Sequence, residues 1–306
     1  MRNDCLDEAA QCMEIERQQL SQLIRKLTLQ EGLQTTAIEE LALFRSDGPT
    51  SVTPGIMEPA LCVMLQGSKV IYCGEEIIHY TPLQYLLVPI TMPVAGKILH
   101  ASPSEPYLAM RMNINMRELT DLIIDTASHG KSPEKPKGLN VGQLDHPLLN
   151  ALHRLVELSQ HPQDIVVMLP LIRREIIYRL LQGELGALLR DFTRIDSQAH
   201  RIASVIEMIQ QRFTQPLRIK ELADSVYLSE SALFSAFKSV TTMSPLQFQK
   251  QLRLNEARRI MLYEGTEAAT ASYKVGYESP SQFSREYSRL FGAPPKADVA
   301  RFRQEV

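Results

Sequence analysis

The sequence predicts an α+β chain: an N-terminal antiparallel β-barrel or sandwich with flanking helices, followed by an all-α C-terminal region. Three observations predict it. Residues 36 to about 115 alternate short apolar runs with turn signals. Apolar spacing reverts to a helical period from Met116 onward. Finally, residues 222–295 hold one helix-turn-helix pattern twice: LADSVYLSESALFSAFKSVTTMSP and ASYKVGYESPSQFSREYSRLFGAPP.

The first helix is read over residues 8–30, with Met13, Ile15, Leu20, Leu23, Ile24 and Leu27 on one stripe. The runs ALCVMLQGSKVIYCGEEIIHY, TPLQYLLVPITMPVAGKILH and PYLAMRMNIN follow, broken by Gly and Pro, as strands of a sandwich or small barrel are. The YCGEE segment between VIY and IIHY reads as a hairpin turn. Helices are expected over 116–127, 146–159 and 165–192, with Pro170 kinking or starting the last. SHGKSPEKPKG from Ser128 reads as a polar loop. The polar joint Arg194–His200 places a domain boundary near 195, giving a sensor over 1–195 and a helical domain over 196–306.

In the repeat, Leu233 aligns with Phe283, Phe237 with Tyr287, Thr242 with Gly292 and Pro245 with Pro295, each 50 residues apart. The same register pairs Tyr227 with Tyr277 and Ser229 with Ser279. Ser244-Pro245-Leu246-Gln247 is a capping box with Pro at the first helical position, and Ser279-Pro280-Ser281-Gln282 is expected to repeat it. Gly265 and Gly292 stand where helix C-caps belong.

Two small helical units at fixed spacing suit a protein that touches two neighbouring segments of duplex DNA. On the first reader helix, Leu233, Phe237 and Val240 form the core face. Ser229, Ser231, Ala232, Phe234, Ser235 and Lys238 are the candidate DNA contacts. Hydroxyls bond several base edges, and Ala or Phe can meet a thymine methyl, so this helix should discriminate bases weakly. On the second, Ser279, Ser281, Gln282, Ser284, Arg285 and Arg289 are the candidates. Gln282 suits adenine, Arg285 suits guanine, and Arg289 suits phosphate. Ser229 and Ser279, at helix N-termini, can each help hold a phosphate through free backbone N–H groups.

Bulk composition fits this reading. The 306-residue chain is 44% hydrophobic and 22% charged, with net charge −2 and no Trp, long enough for two domains. From Asp196 onward 15 Lys and Arg face 12 Asp and Glu, leaving the first 195 residues net acidic. No apolar run reaches membrane-span length and the N-terminus has no apolar signal segment, so a cytoplasmic protein is expected. Cys5, Cys12, Cys62 and Cys73 form neither a disulfide framework nor a CxxC zinc pair. Cys62 and Cys73 are candidate effector or redox thiols, against the plainer reading of small buried hydrophobes. His79 and His100 stand alone and Glu75 and Glu76 fall in a turn, so neither a metal, nor a cofactor, nor a catalytic residue is expected. The alternative is a cupin-type metal enzyme with an accessory DNA-binding tail.

The tail resembles the AraC/XylS family of bacterial transcription regulators over about 100 residues. Carrying the resemblance are Leu222-Ala223, Ser229, Leu233, Phe237-Lys238 and Ser244-Pro245 in the first unit. In the second they are Gly276-Tyr277, Gln282-Phe283-Ser284-Arg285, Tyr287, Phe291-Gly292 and Pro295, with Arg253-Leu254 and Ala257 between. Ser235 replaces the family's Arg, Thr242 replaces its Gly, and Ala271-Ser272 replaces its Ile-Ala. The front half, through ALCVMLQGSK, YLLVPITMPVAG and ASPSEPYLAMRMNI, is similar to a subgroup that includes an aldehyde-reductase regulator. The resemblance implies a regulator that binds double-stranded promoter DNA, with a cupin-like N-terminal sensing domain and a small-molecule effector (a reactive aldehyde is one candidate). It also implies a homodimer and, for an activator, contact with RNA polymerase.

Overall fold

A computed structural model describes residues 2–126 and 136–305, with side chains described over 10–126 and 136–302. The loop read from Ser128 therefore lies largely outside the described residues.

The chain opens with α1 (Arg2–Leu27), whose Leu20 and Ile24 are fully buried. Among the described residues ten strands follow or interleave with the next helices. These strands are β1 (Gly32–Thr35), β2 (Leu41–Ser46), β3 (Thr53–Met57), β4 (Ala60–Gln66), β5 (Ser68–Cys73), β6 (Glu76–Tyr80), β7 (Gln84–Val88), β8 (Met92–His100), β9 (Tyr107–Asn113) and β10 (Asn140–Gln143). One sheet has the order β1-β2-β9-β4-β7-β10 and the other β3-β8-β5-β6. Every pairing is antiparallel. The expected hairpin is present: Cys73 pairs with Glu76 across Gly74-Glu75.

β4 explains the architecture best. Ala60–Leu65 is buried on both faces, which is why it reads as an unbroken apolar run rather than an alternating one. One face, with Cys62, looks into the space between the sheets. The other is covered by α1, which also packs on α3 (His146–Leu158). Asp145 caps α3 by accepting from the Leu148 backbone N–H. α2 (Met116–Thr126) buries Leu119 and Leu122.

The long helix expected over 165–192 is two helices. α4 (Pro162–Gln182) starts at Pro162 and runs through Pro170, which lies on its exposed side. It ends at Gly183, whose extended backbone breaks the helix before α5 (Gly186–Thr193). The apolar period continues across the break because the buried residues of both helices join one cluster, so periodicity alone hid it. Pro170 neither begins α4 nor ends it.

The C-terminal part is helical: α6 (Gln198–Gln211), α7 (Ile219–Ser225), α8 (Glu230–Thr241), α9 (Pro245–Tyr263), α10 (Ala268–Lys274), α11 (Pro280–Phe291) and α12 (Pro295–Glu305). The joint near residue 195 connects α5 to α6, yet buried side chains are continuous from Leu20 through to Leu252. A second cluster, Leu254 to Phe291, lies beyond it. The apolar break thus falls inside α9, whose first half packs with α8 and whose second half packs with α10 and α12. No helix among the described residues is long and apolar enough to cross a membrane.

Candidate nucleic-acid interface

Each reader is built from a short helix, a turn and a capped second helix. Ser229 caps α8 by accepting from the Ala232 N–H at 3.2 Å, and its hydroxyl lies 3.2 Å from that of Ser231. Leu233 and Phe237 are fully buried, with Phe237 edge-on to Phe248 of α9 at 5.5 Å. The opposite face leaves Ser231, Ala232, Phe234, Ser235 and Lys238 exposed. In α11, Ser279 accepts from the Gln282 N–H at 3.3 Å. Phe283 and Tyr287 are fully buried and form an aromatic stack with Tyr277 and Phe291. Ser281, Gln282, Arg285 and Arg289 are exposed, while Ser279 and Ser284 are half-buried.

The repeat is not uniform. Ser244 and Gln247 make both bonds of a capping box at α9, but at α11 only the Ser279 half forms. Gln282 instead donates from Nε2 to Glu286 at 3.3 Å, one turn on. Burial raises the Glu286 pKa, but hydrogen bonds from Tyr277 and Gln282 and the nearby Lys250 outweigh it and hold the carboxyl below its ordinary value. The Tyr227–Tyr277 pairing also fails. In the first turn Tyr227 takes positive φ and is 90% exposed; in the second, Gly276 takes positive φ and Tyr277 is buried. Leu228 is the counterpart of Tyr277: each N–H bonds the carbonyl five residues back, on Ala223 and Ser272. The second turn is one residue longer, so the register is 49 before the turn and 50 after it.

Gly276 is required by contact as well as by conformation. A Cβ there would sit 2.0 Å from the Thr214 carbonyl oxygen. That tight spot is tied by Arg253, which donates to the carbonyls of Phe213, Gln215 and Gly276 at 2.6, 2.8 and 3.0 Å. Arg253, noted in the sequence only as part of a linker pattern, thus fixes one helix-turn-helix unit against the other.

Thr242 takes the left-handed conformation at φ 64°. A β-branched residue there costs about 1–2 kcal/mol. Its Oγ1 donates to the Cys73 carbonyl at 3.0 Å, at the tip of the β5–β6 hairpin. The hairpin approaches so closely that a Cβ on Gly74 would meet Thr242 Oγ1 at 2.5 Å. Close by, the Gly138 N–H donates to the Val240 carbonyl at 2.9 Å. The C-terminal end of the first reader is therefore fastened to the β-barrel, a contact invisible in the repeat itself.

Among the described residues, neither Arg285, Arg289 nor Lys238 has an ion-pair partner. Burial pushes the thiols of Cys62 and Cys73 above their ordinary pKa, the opposite direction from a reactive thiolate. No three His, Cys, Asp or Glu side chains among the described residues are placed to hold a metal.

Two family models match the chain: the AraC-type transcriptional regulator N-terminus over residues 37–188 and a helix-turn-helix domain over 222–301. The chain belongs to the AraC family of transcription regulators. This AraC-family chain is 22% identical over 237 residues to the lactose operon transcription activator of Staphylococcus xylosus, covering 76% of this chain and 80% of that protein. It is 31% identical over 108 residues to the regulator CdhR of Pseudomonas aeruginosa, covering 35% of this chain and 32% of that one. With ArgR of the same organism it shares 24% over 123 residues, 40% of this chain and 37% of the relative. The last two alignments thus span only about a third of each relative. The fold is that of ToxT from Vibrio cholerae, with TM-score 0.58 at 11% identity, covering 88% of this chain and 98% of that one. This AraC-family chain joins an AraC-type N-terminal half, built from two antiparallel sheets, to a helical tail that holds a helix-turn-helix domain.

Proposed function

We propose that residues 196–306 place α8 and α11 in successive major grooves and that residues 1–195 sense a small-molecule effector. The observation that carries the reading is the pair of capped helices that bury one aromatic face and expose Ser, Gln, Lys and Arg on the other. Arg285 is the principal base reader, through guanine. Gln282 contributes less than its type suggests, because its amide is held by Glu286 and must let go to pair with adenine. The N-termini at Ser229 and Ser279, with Lys238 and Arg289, hold phosphates. The effector site is the cavity of about 450 Å3 between the two sheets. One ToxT structure carries an unsaturated fatty acid, which supports a ligand site in a protein of this fold.

Affinity for a promoter fragment in a salt series tests the reading. Each phosphate neutralised by a Lys or Arg steepens the plot of log affinity against log salt by about −0.9, so Lys238 and Arg289 together give a slope of about −1.8. Absence of DNA binding at every salt concentration overturns it.

A homodimer is supported by α4. Val167, Leu171 and Tyr178 lie on one stripe and are 67%, 60% and 45% exposed. Beside them runs the Arg174–Asp125 ion pair, with Ile124 72% exposed. An apolar helical stripe with charges at its edge is self-complementary about a twofold axis. Leu171→Glu is expected to convert a dimer to a monomer in sedimentation; unchanged mass would remove α4 from the interface.

A further inference from the structure

Lys69 stands in an apolar cavity without a counter-charge. It projects from β5 into the space between the sheets, beside Phe44, Ile71 and Tyr107. Its Nζ lies 5.9 Å from the ring centroids of both Phe44 and Tyr107, and no described carboxylate pairs with it. The side chain keeps some accessible surface because it borders the cavity. Protein nevertheless surrounds it closely enough that burial lowers its pKa. Arg111, from β9, borders the same cavity. Its Nε and Nη2 are buried and make no hydrogen bond to any described residue. Glu58 comes within 3.8 Å of Nη2, beyond hydrogen-bond reach, and is itself largely exposed. Two cations set among apolar walls are costly until an anion joins them.

The larger cleft, about 730 Å3 and lined by α2 and α6, is different in kind. Glu58, Arg117, Asp121 and Glu207 line it with charges of both signs. It has no comparable demand for one ligand charge.

The barrel cavity is not closed by the barrel alone. Phe302, from α12 of the DNA-reading half, forms part of its wall. Arg258 stacks on Phe302 at 5.4 Å and on Phe291 at 4.7 Å. It also pairs with Asp298, which accepts from Tyr287 of the second reader at 2.8 Å. The cavity wall thus reaches α11 by way of Phe302 and Arg258, and β3, which also lines the cavity, packs on α11 directly.

We propose that the barrel cavity takes an amphipathic organic anion, its acid group on Lys69 and Arg111 and its apolar body against Phe302. The proposal rests on the reading of residues 1–195 as the effector-sensing part. A ligand of this kind touches α12 directly, so its occupancy reaches the second reader through a helix it contacts.

The test titrates the full chain with two fluorescent probes of one shape. 8-Anilinonaphthalene-1-sulfonate carries a sulfonate; N-phenyl-1-naphthylamine is the same ring system without it. The anionic probe is expected to bind once per chain and at least about tenfold more tightly, equivalent to about 1.4 kcal/mol. Lys69→Met is expected to abolish that preference while the neutral probe still binds, which shows that the cavity has folded. Phe302→Ala is expected to weaken both probes several-fold. Equal affinities in the unmodified protein, or a preference that survives Lys69→Met, would overturn the anion site. Unchanged binding in Phe302→Ala would remove α12 from it. DNA affinity of the same samples separates the two readings: loss of DNA binding with the probe preference intact would sink the regulator reading and not the site.

Discussion

Asp298→Ala is expected to cost about 3–5 kcal/mol and to abolish DNA binding through the second reader. Asp298 is fully buried, and four hydrogen bonds converge on its carboxylate. Arg258 donates from Nε and Nη2 at 2.7 and 3.1 Å, Arg301 at 3.1 Å and the Tyr287 hydroxyl at 2.8 Å. Burial and the bond to Asp298 push the Tyr287 pKa well up, so the phenol stays protonated and donates. Removing the carboxylate leaves Arg258, only 13% exposed, as an uncompensated charge against Phe291. The apolar cluster around it holds ten buried residues, little to absorb such a loss. Urea unfolding followed by hydrogen exchange is expected to show α11 and α12 opening first while the barrel keeps its protection. A variant with unchanged exchange in α11 would show that the network does not hold the reader.

Arg285→Ala is expected to weaken specific DNA binding by about 1–3 kcal/mol, roughly five- to 150-fold, and to relax choice at one base pair. The guanidinium is exposed, sits one turn into α11 and makes no ion pair with a described carboxylate, so nothing must be broken before it docks. Gln282→Ala is expected to cost less, since its amide begins on Glu286. Arg289→Ala should lower affinity for all sequences alike and flatten the salt plot by about one phosphate contact. Competition between a specific fragment and its single-base variants checks these. An Arg285→Ala protein with wild-type sequence preference would assign base reading elsewhere.

Much of this was legible in the sequence. The alternation of apolar runs with Gly and Pro marks the barrel because strands and turns leave local traces. Both reader helices announce themselves through caps at Ser229 and Ser279 and buried positions at Leu233, Phe237, Phe283 and Tyr287. Contacts between distant segments leave no such trace. The two turns differ by one residue, which a fixed spacing of 50 conceals until backbone bonds to Ala223 and Ser272 are seen. Gly183 splits a helix whose apolar stripe continues across the break. Thr242 looked like a lost glycine in a family pattern, whereas its hydroxyl reaches Cys73, 169 residues earlier. Lys69 carried no motif at all; what marks it is the cavity around it and the missing carboxylate. Cys62 drew attention by residue type, and it is the burial of its thiol that weighs against a thiolate role.

The most direct measurement is a hydroxyl-radical footprint of the full chain on a promoter fragment it binds specifically. Two readers in successive major grooves should protect two patches on one face of the duplex, centred about 10 base pairs apart, for each bound protomer. Arg285→Ala should weaken the patch under α11 before the patch under α8. A single protected patch per protomer would contradict the account, because α8 and α11 would then not both enter the DNA.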